Sequence, residues 1–253
     1  MDWNQIALAA TGLFLAGFVK GATGLGYSTC ALPFLVAAIG LRSAIVIVPI
    51  PAMAANIGLL FGAGHIKETL QRFWIFYAAT IPGIFYGTRL LGSIDQQSAT
   101  RVLGLITVAY VIYGIIHPNF HLPEPSERRL QLPAGLLNGF LTGLTGSQIM
   151  PLLPFMVSLR LDPDRFVQAI NVAVVTASLI LILALFTGGL MTWPLLVLSI
   201  LGVLPALLGV YIGNRMRSHI PLPRFRMVVL FMLLVMGFSF MANINSFFSS
   251  LAG

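Results

Sequence analysis

Apolar runs separated by short polar connections set the pattern of this chain. Six stretches, near Ser43 to Gly62, Phe73 to Leu91, Val102 to Ile116, Phe166 to Phe186, Trp193 to Ile212 and Met227 to Phe247, are almost free of charge. Their lengths approach the roughly 17 to 25 residues a helix needs to cross a bilayer, so each predicts a transmembrane helix. Two further apolar stretches, Ile6 to Gly40 and Leu132 to Leu159, are broken in the middle by Gly, Thr and Ser. The longest polar connection, His117 to Gln131, carries Pro118, Pro123, Pro125, Glu124, Glu127, Arg128 and Arg129 and predicts a linker rather than a soluble domain.

The pattern occurs twice. GFVKGATG, from Gly17, matches GFLTGLTG, from Gly139, and ALPFLV around Pro33 faces LLPFMV around Pro154. FGAGHI around Gly64 faces FTGGLM around Gly189, IPG at Pro82 resembles LPA at Pro205, and YGTRL near Arg89 resembles IGNRM near Arg215. Matches in one order, at offsets of about 121 to 126, mark a duplicated unit. The expected fold is an all-α polytopic membrane protein of two homologous halves, residues 1–120 and 132–253, joined by a linker at 121–131. Each half has four helical segments, about eight in all, and the first segment of each half is broken or re-entrant at its Gly-rich motif. Duplicated transporters place their binding site between the repeats.

Composition agrees with lipid as the solvent. The chain is 58% hydrophobic and 8% charged, against about 45 to 50% and about 25% for soluble domains. The net charge of +7 does not predict a nucleic-acid partner, because the 14 basic residues stand singly between apolar runs. They suit snorkelling and topology-setting positions instead. Cys30 is alone, which excludes a disulfide within the chain and a cysteine zinc site. No Lys or Arg precedes Lys20, so the start lacks the basic region of a signal peptide and is expected to remain.

Loop cations divide in one of two ways. If each Gly-rich stretch crosses once, the halves are parallel and nine cations (Arg42, Arg89, Arg101, Arg160, Arg165, Arg215, Arg217, Arg224, Arg226) oppose four (Lys67, Arg72, Arg128, Arg129). If each stretch dips in and returns, the halves are inverted and ten oppose three (Arg42, Arg89, Arg101). The positive-inside rule separates neither version, but both put the two termini outside the cytoplasm. A multi-pass protein of a bacterial inner membrane with periplasmic termini is expected, in a lipid bilayer as a monomer or a homodimer.

All seven acidic residues, Asp2, Glu68, Asp95, Glu124, Glu127, Asp162 and Asp164, fall at segment ends or in connections. A desolvated cation needs compensating carboxylate, so a small anionic or neutral solute fits better than a cation. Lys20 is the opposite case, an ammonium inside an apolar stretch, and is expected to face a cavity or to snorkel. Its repeat counterpart is Thr142. Helix breaks at membrane depth survive where they line a cavity, and half-helix N-termini suit an oxyanion. The candidate substrate site is therefore Lys20, Gly21, Thr23, Gly24, Gly26, Tyr27 and Ser28 from one half. Gly143, Thr145, Gly146, Ser147 and Gln148 come from the other, with Asn56 and Asn171 from the spans.

Each assignment has a competing reading. Gly17-xxx-Gly21 and Gly139-xxx-Gly143 also satisfy small-residue helix packing, and the two asparagines suit interhelical hydrogen bonds. Arg89 and Arg215 suit interfacial anchors as well as gates. His65, His117, His121 and His219 lack metal-ligand spacing, no HExxH is present, and GATGLG does not end as a phosphate loop does. No enzyme, cofactor or metal is expected.

AGFVKGATGLGYSTCALPFL from Ala16, followed by GFLTGLTGSQIMPLLPF in the second half, resembles the sulfite exporter TauE/SafE family, the 4-toluene sulfonate uptake permease group. The resemblance spans essentially the whole chain. It departs at Ser147 and Gln148, where many members carry further glycines. It implies secondary transport of a small sulfur oxyanion or organosulfonate such as sulfite, sulfoacetate or thiosulfate. A carrier of a neutral or cationic solute and a non-transporting membrane protein are the alternatives.

Overall fold

The computed structural model describes residues 2–62, 64–116, 122–217 and 222–242. Among them are twelve helices and no strand. The first six are α1 (Trp3–Thr23), α2 (Tyr27–Ile39), α3 (Leu41–Ile47), α4 (Pro49–Gly62), α5 (Ile66–Ser93) and α6 (Gln96–Ile116). The second six are α7 (Glu124–Thr145), α8 (Leu152–Ser158), α9 (Pro163–Thr187), α10 (Trp193–Leu201), α11 (Val203–Met216) and α12 (Leu222–Ala242). Among the described residues four stretches are long and apolar enough to cross a membrane: Trp3–Thr23, Leu41–Gly58, Pro163–Thr187 and Trp193–Met216. His117, His121, His219 and the last residues of the predicted final span lie outside the described residues.

Both irregular stretches resolve into two helices rather than one. After α1 the chain turns back, so that Gly12 on α1 lies against Phe34 on α2. After α7 it also returns: the Leu122 N–H, just before α7, donates to Ser158 O at the end of α8, 3.0 Å away. The predicted linker is a correction, because helix α7 begins at Glu124 and takes in most of it. Pro123 in extended conformation and Pro125 in the first turn explain this: proline is pre-organised for a helix start, where its missing N–H costs nothing. Glu127 is buried on that helix and receives two 2.8 Å hydrogen bonds from Arg72 of α5.

Glycines bring helix pairs together. A Cβ at Gly17 or Gly21 of α1 would run into Ala206 or Val210 of α11, and one at Gly209 or Gly213 of α11 into Phe14 or Phe18 of α1. Numbers rise together on both helices, so α1 and α11 point the same way. The second pair repeats this register: Gly139 and Gly143 of α7 meet Thr80 and Ile84 of α5, and Gly83 and Gly87 meet Leu136 and Phe140. Helices α5 and α7 are therefore also parallel. In α6 and α12 the order is opposed, with Gly104 against Met241 and Gly237 against Val108. Between these pairs α4 and α9 pack on each other, and they supply the walls of the site.

Candidate functional site

Both breaks use the same local chemistry. Thr23 Oγ1 donates to Val19 O at 2.8 Å and accepts the Leu25 N–H at 3.3 Å. Thr145 Oγ1 donates to Leu141 O at 2.7 Å and accepts the Ser147 N–H at 3.3 Å. The next residue is a left-handed glycine, Gly24 at φ 83° and Gly146 at φ 74°, whose N–H closes the helix on Lys20 O and Thr142 O. A helix commonly ends this way because glycine alone takes that conformation without a Cβ penalty.

Beyond the turn the breaks differ. Lys20 is 2% exposed, and its Nζ donates to Gly24 O at 2.7 Å, Asn56 Oδ1 at 2.7 Å and Asn171 Oδ1 at 3.1 Å. The amide nitrogens of Asn56 and Asn171 donate to Ala52 O and Val167 O, each at 2.6 Å, which holds both side-chain oxygens toward the ammonium. All three ammonium protons thus meet neutral oxygens, drawn from both halves of the chain. Ser28 Oγ, in the first turn of α2, donates to Gln148 Oε1 at 2.9 Å, and Gln148 Nε2 donates to Ser178 Oγ of α9 at 2.9 Å. This hydrogen-bond chain joins the first break to the second.

Lys20 stands between two cavities. The smaller, about 20 Å³, lies between the breaks and is lined by Lys20, Tyr27, Ser28, Thr29, Asn56 and Gln148 with apolar neighbours. It has room for about one water. The larger, about 440 Å³, has Lys20, Thr23 and Gly24 on one wall and Asn214 and Arg217 on another, with otherwise mostly apolar side chains from α4, α9 and α11. Among the described residues no carboxylate lines either cavity. A membrane-embedded ammonium costs about 2.5 to 3.5 kcal/mol even on lenient scales, and among the described residues no carboxylate stands beside it to offset that cost. Among the described residues no three His, Cys, Asp or Glu side chains come together to hold a metal.

The sequence model of the sulfite exporter TauE/SafE family matches residues 8–240. The chain belongs to this family. No curated protein and no solved structure matches it. A TauE/SafE protein is a membrane transporter of the sulfite exporter family, in keeping with the apolar helices seen here.

In this TauE/SafE protein the predicted site residues divide unevenly. Lys20, Gly26, Tyr27, Ser28, Asn56 and Gln148 line the small cavity, Gly21, Thr23 and Gly24 line the large one, and Asn171 binds Lys20. Gly143, Thr145, Gly146 and Ser147 line neither cavity. Gly143 is occupied by helix packing against α5, and Gly21 packs on α11 as well as facing the large cavity. The Thr23 and Thr145 hydroxyl protons are directed at their own helices. Gly146 is covered by Leu32 and Ile45, while Thr142 Oγ1 donates to Ser147 O at 3.1 Å. Arg89 and Arg215 are exposed. Thr29 and Ser178 were missed. Ser178 lies seven residues beyond Asn171, on the same helix face, and that spacing was its signal.

Proposed function

We propose that the protein is a secondary transporter carrying a small sulfur-containing anion, such as sulfite, sulfoacetate, another organosulfonate or thiosulfate, across the bacterial inner membrane. The anion is held beside Lys20, between the two helix breaks. One observation supports this reading: a buried ammonium whose hydrogen-bond partners are all neutral, on the wall of two cavities that no acid among the described residues lines. An entering anion supplies the missing countercharge. The sulfur chemistry comes from the family, and the sign of the charge comes from Lys20.

The halves are read as inverted. Parallel packing of α1 on α11 and of α5 on α7, with the chain turning back at each break, supports five passes per half, the second of them short. The loop cations then split ten to three, and the face carrying Lys67, Arg72, Arg160, Arg165, Arg215 and Arg217 is cytoplasmic. Both termini are periplasmic. The large cavity, with Arg217 on its wall, opens toward the cytoplasm, and Leu32 and Ile45 over Gly146 close the other side.

The test is flux into liposomes containing the purified protein, using radiolabelled sulfite and sulfoacetate with sodium as control. Saturable uptake of a sulfur anion without sodium uptake is expected. Sodium uptake, or no sulfur-anion uptake by inserted protein, overturns the proposal.

A further inference from the structure

Around the two breaks most polar side chains have their protons committed. Lys20 directs its protons to Gly24 O, Asn56 and Asn171, and Ser28 donates to Gln148, which donates to Ser178. Thr23, Thr142 and Thr145 donate to backbone carbonyls. On the wall of the small cavity two hydroxyls differ. Tyr27 Oη and Thr29 Oγ1 have no hydrogen-bond partner among the described residues, although their residues are only 3% and 4% exposed. Both residues line the small cavity with Lys20. Both also stand in the first turn of α2, whose N-cap, Gly26, supplies no side-chain hydrogen bond, so the leading N–H groups lack helix partners as well. Buried hydroxyls are normally satisfied, and an unsatisfied one destabilises the fold, so folding alone gives no reason for either.

We infer that Tyr27 and Thr29 read the oxygens of the transported anion and set its selectivity, an inference that rests on the anion-carrier reading above. Lys20 provides the charge. The two hydroxyls and the first-turn N–H groups of α2 provide directed donors that match an oxyanion with several oxygens on one centre. A halide has no such oxygens in fixed directions and gains less from them. The cavity is about 20 Å³, so the anion enters by widening the gap between the breaks.

Thr29→Val and Tyr27→Phe remove the hydroxyls and keep the shapes. In liposomes each is expected to weaken the apparent affinity for radiolabelled sulfite about tenfold or more, and to make chloride a better competitor. The ligand-free unfolding midpoint of each purified variant should equal or exceed that of the unmodified protein, because neither hydroxyl bonds within the fold. A lowered midpoint would assign the hydroxyls to folding and overturn the inference. Unchanged sulfite affinity in both variants overturns it too, and leaves the carrier function standing. An unmodified protein that moves no sulfur anion removes both.

Discussion

The two Gly-rich breaks share a backbone and differ in what surrounds it. A Cβ added at Gly24 would meet nothing within 4 Å, whereas one at Gly146 would lie 3.2 Å from Leu32 Cδ2 and 3.3 Å from Ile45 Cγ1. Where the first break has the Lys20 ammonium, the second has Thr142, fully buried and bonded to its own loop. The duplicated unit thus keeps what the turn requires, a threonine followed by a left-handed glycine, at both places. What varies is which break meets open space and which is packed dry. Under the proposed inverted arrangement, this asymmetry is what a carrier with one half open at a time requires.

Erasing the difference at its source should have the largest effect. Lys20→Thr gives the first break the residue of the second and removes the buried cation. Sulfur-anion flux in liposomes is expected to fall by about a hundredfold or more, at equal insertion. Retained flux would make the asymmetry irrelevant to transport. Next come Gly17→Ala and Gly139→Ala, where the halves are alike. The added methyl meets Ala206 O in one pair and Thr80 O in the other, so each variant should lose about 1 to 3 kcal/mol in an unfolding titration, by similar amounts. A loss at one site alone would show that the two parallel helix pairs are not equivalent. The smallest effect sharpens the contrast itself. Gly24→Ala and Gly146→Ala both force a left-handed alanine, costing about 1 to 2 kcal/mol. Gly146→Ala should cost about 1 kcal/mol more, because Leu32 and Ile45 must give way. Equal unfolding midpoints would mean that the second break is as open as the first.

Much of the local structure was legible beforehand. The Gly-rich motifs marked where each first stretch breaks, and the helices that end at Thr23 and Thr145 stop inside those motifs. Lys20 stood out because it has no apolar reason to be where it is, and the lack of acidic residues in the apolar runs was plain. The partners were not legible. Asn56 and Asn171 could as well have joined two helices to each other, and what distinguishes them is that each amide nitrogen is tied to its own helix, leaving the oxygen for Lys20. Counting loop cations left parallel and inverted halves level, because the count depends on whether a broken stretch crosses or returns. Contacts as distant in sequence as Gly12 with Phe34 and Leu122 with Ser158 show that the chain returns after each broken stretch, which a cation count cannot reveal.

Hydropathy, the repeated motif and the turn chemistry act over a few residues, so the order of amino acids was enough to specify a lipid-embedded helical chain with one motif written twice, two glycine-ended helices and one stray ammonium. Which proton meets which oxygen is another matter. Lys20 and Asn171 are 151 positions apart and Ser28 and Gln148 are 120 apart, so their bonds exist only once whole helices have packed. The same packing leaves space beside Gly24 and none beside Gly146, because fit between distant surfaces is a property of the assembled bundle and not of either segment.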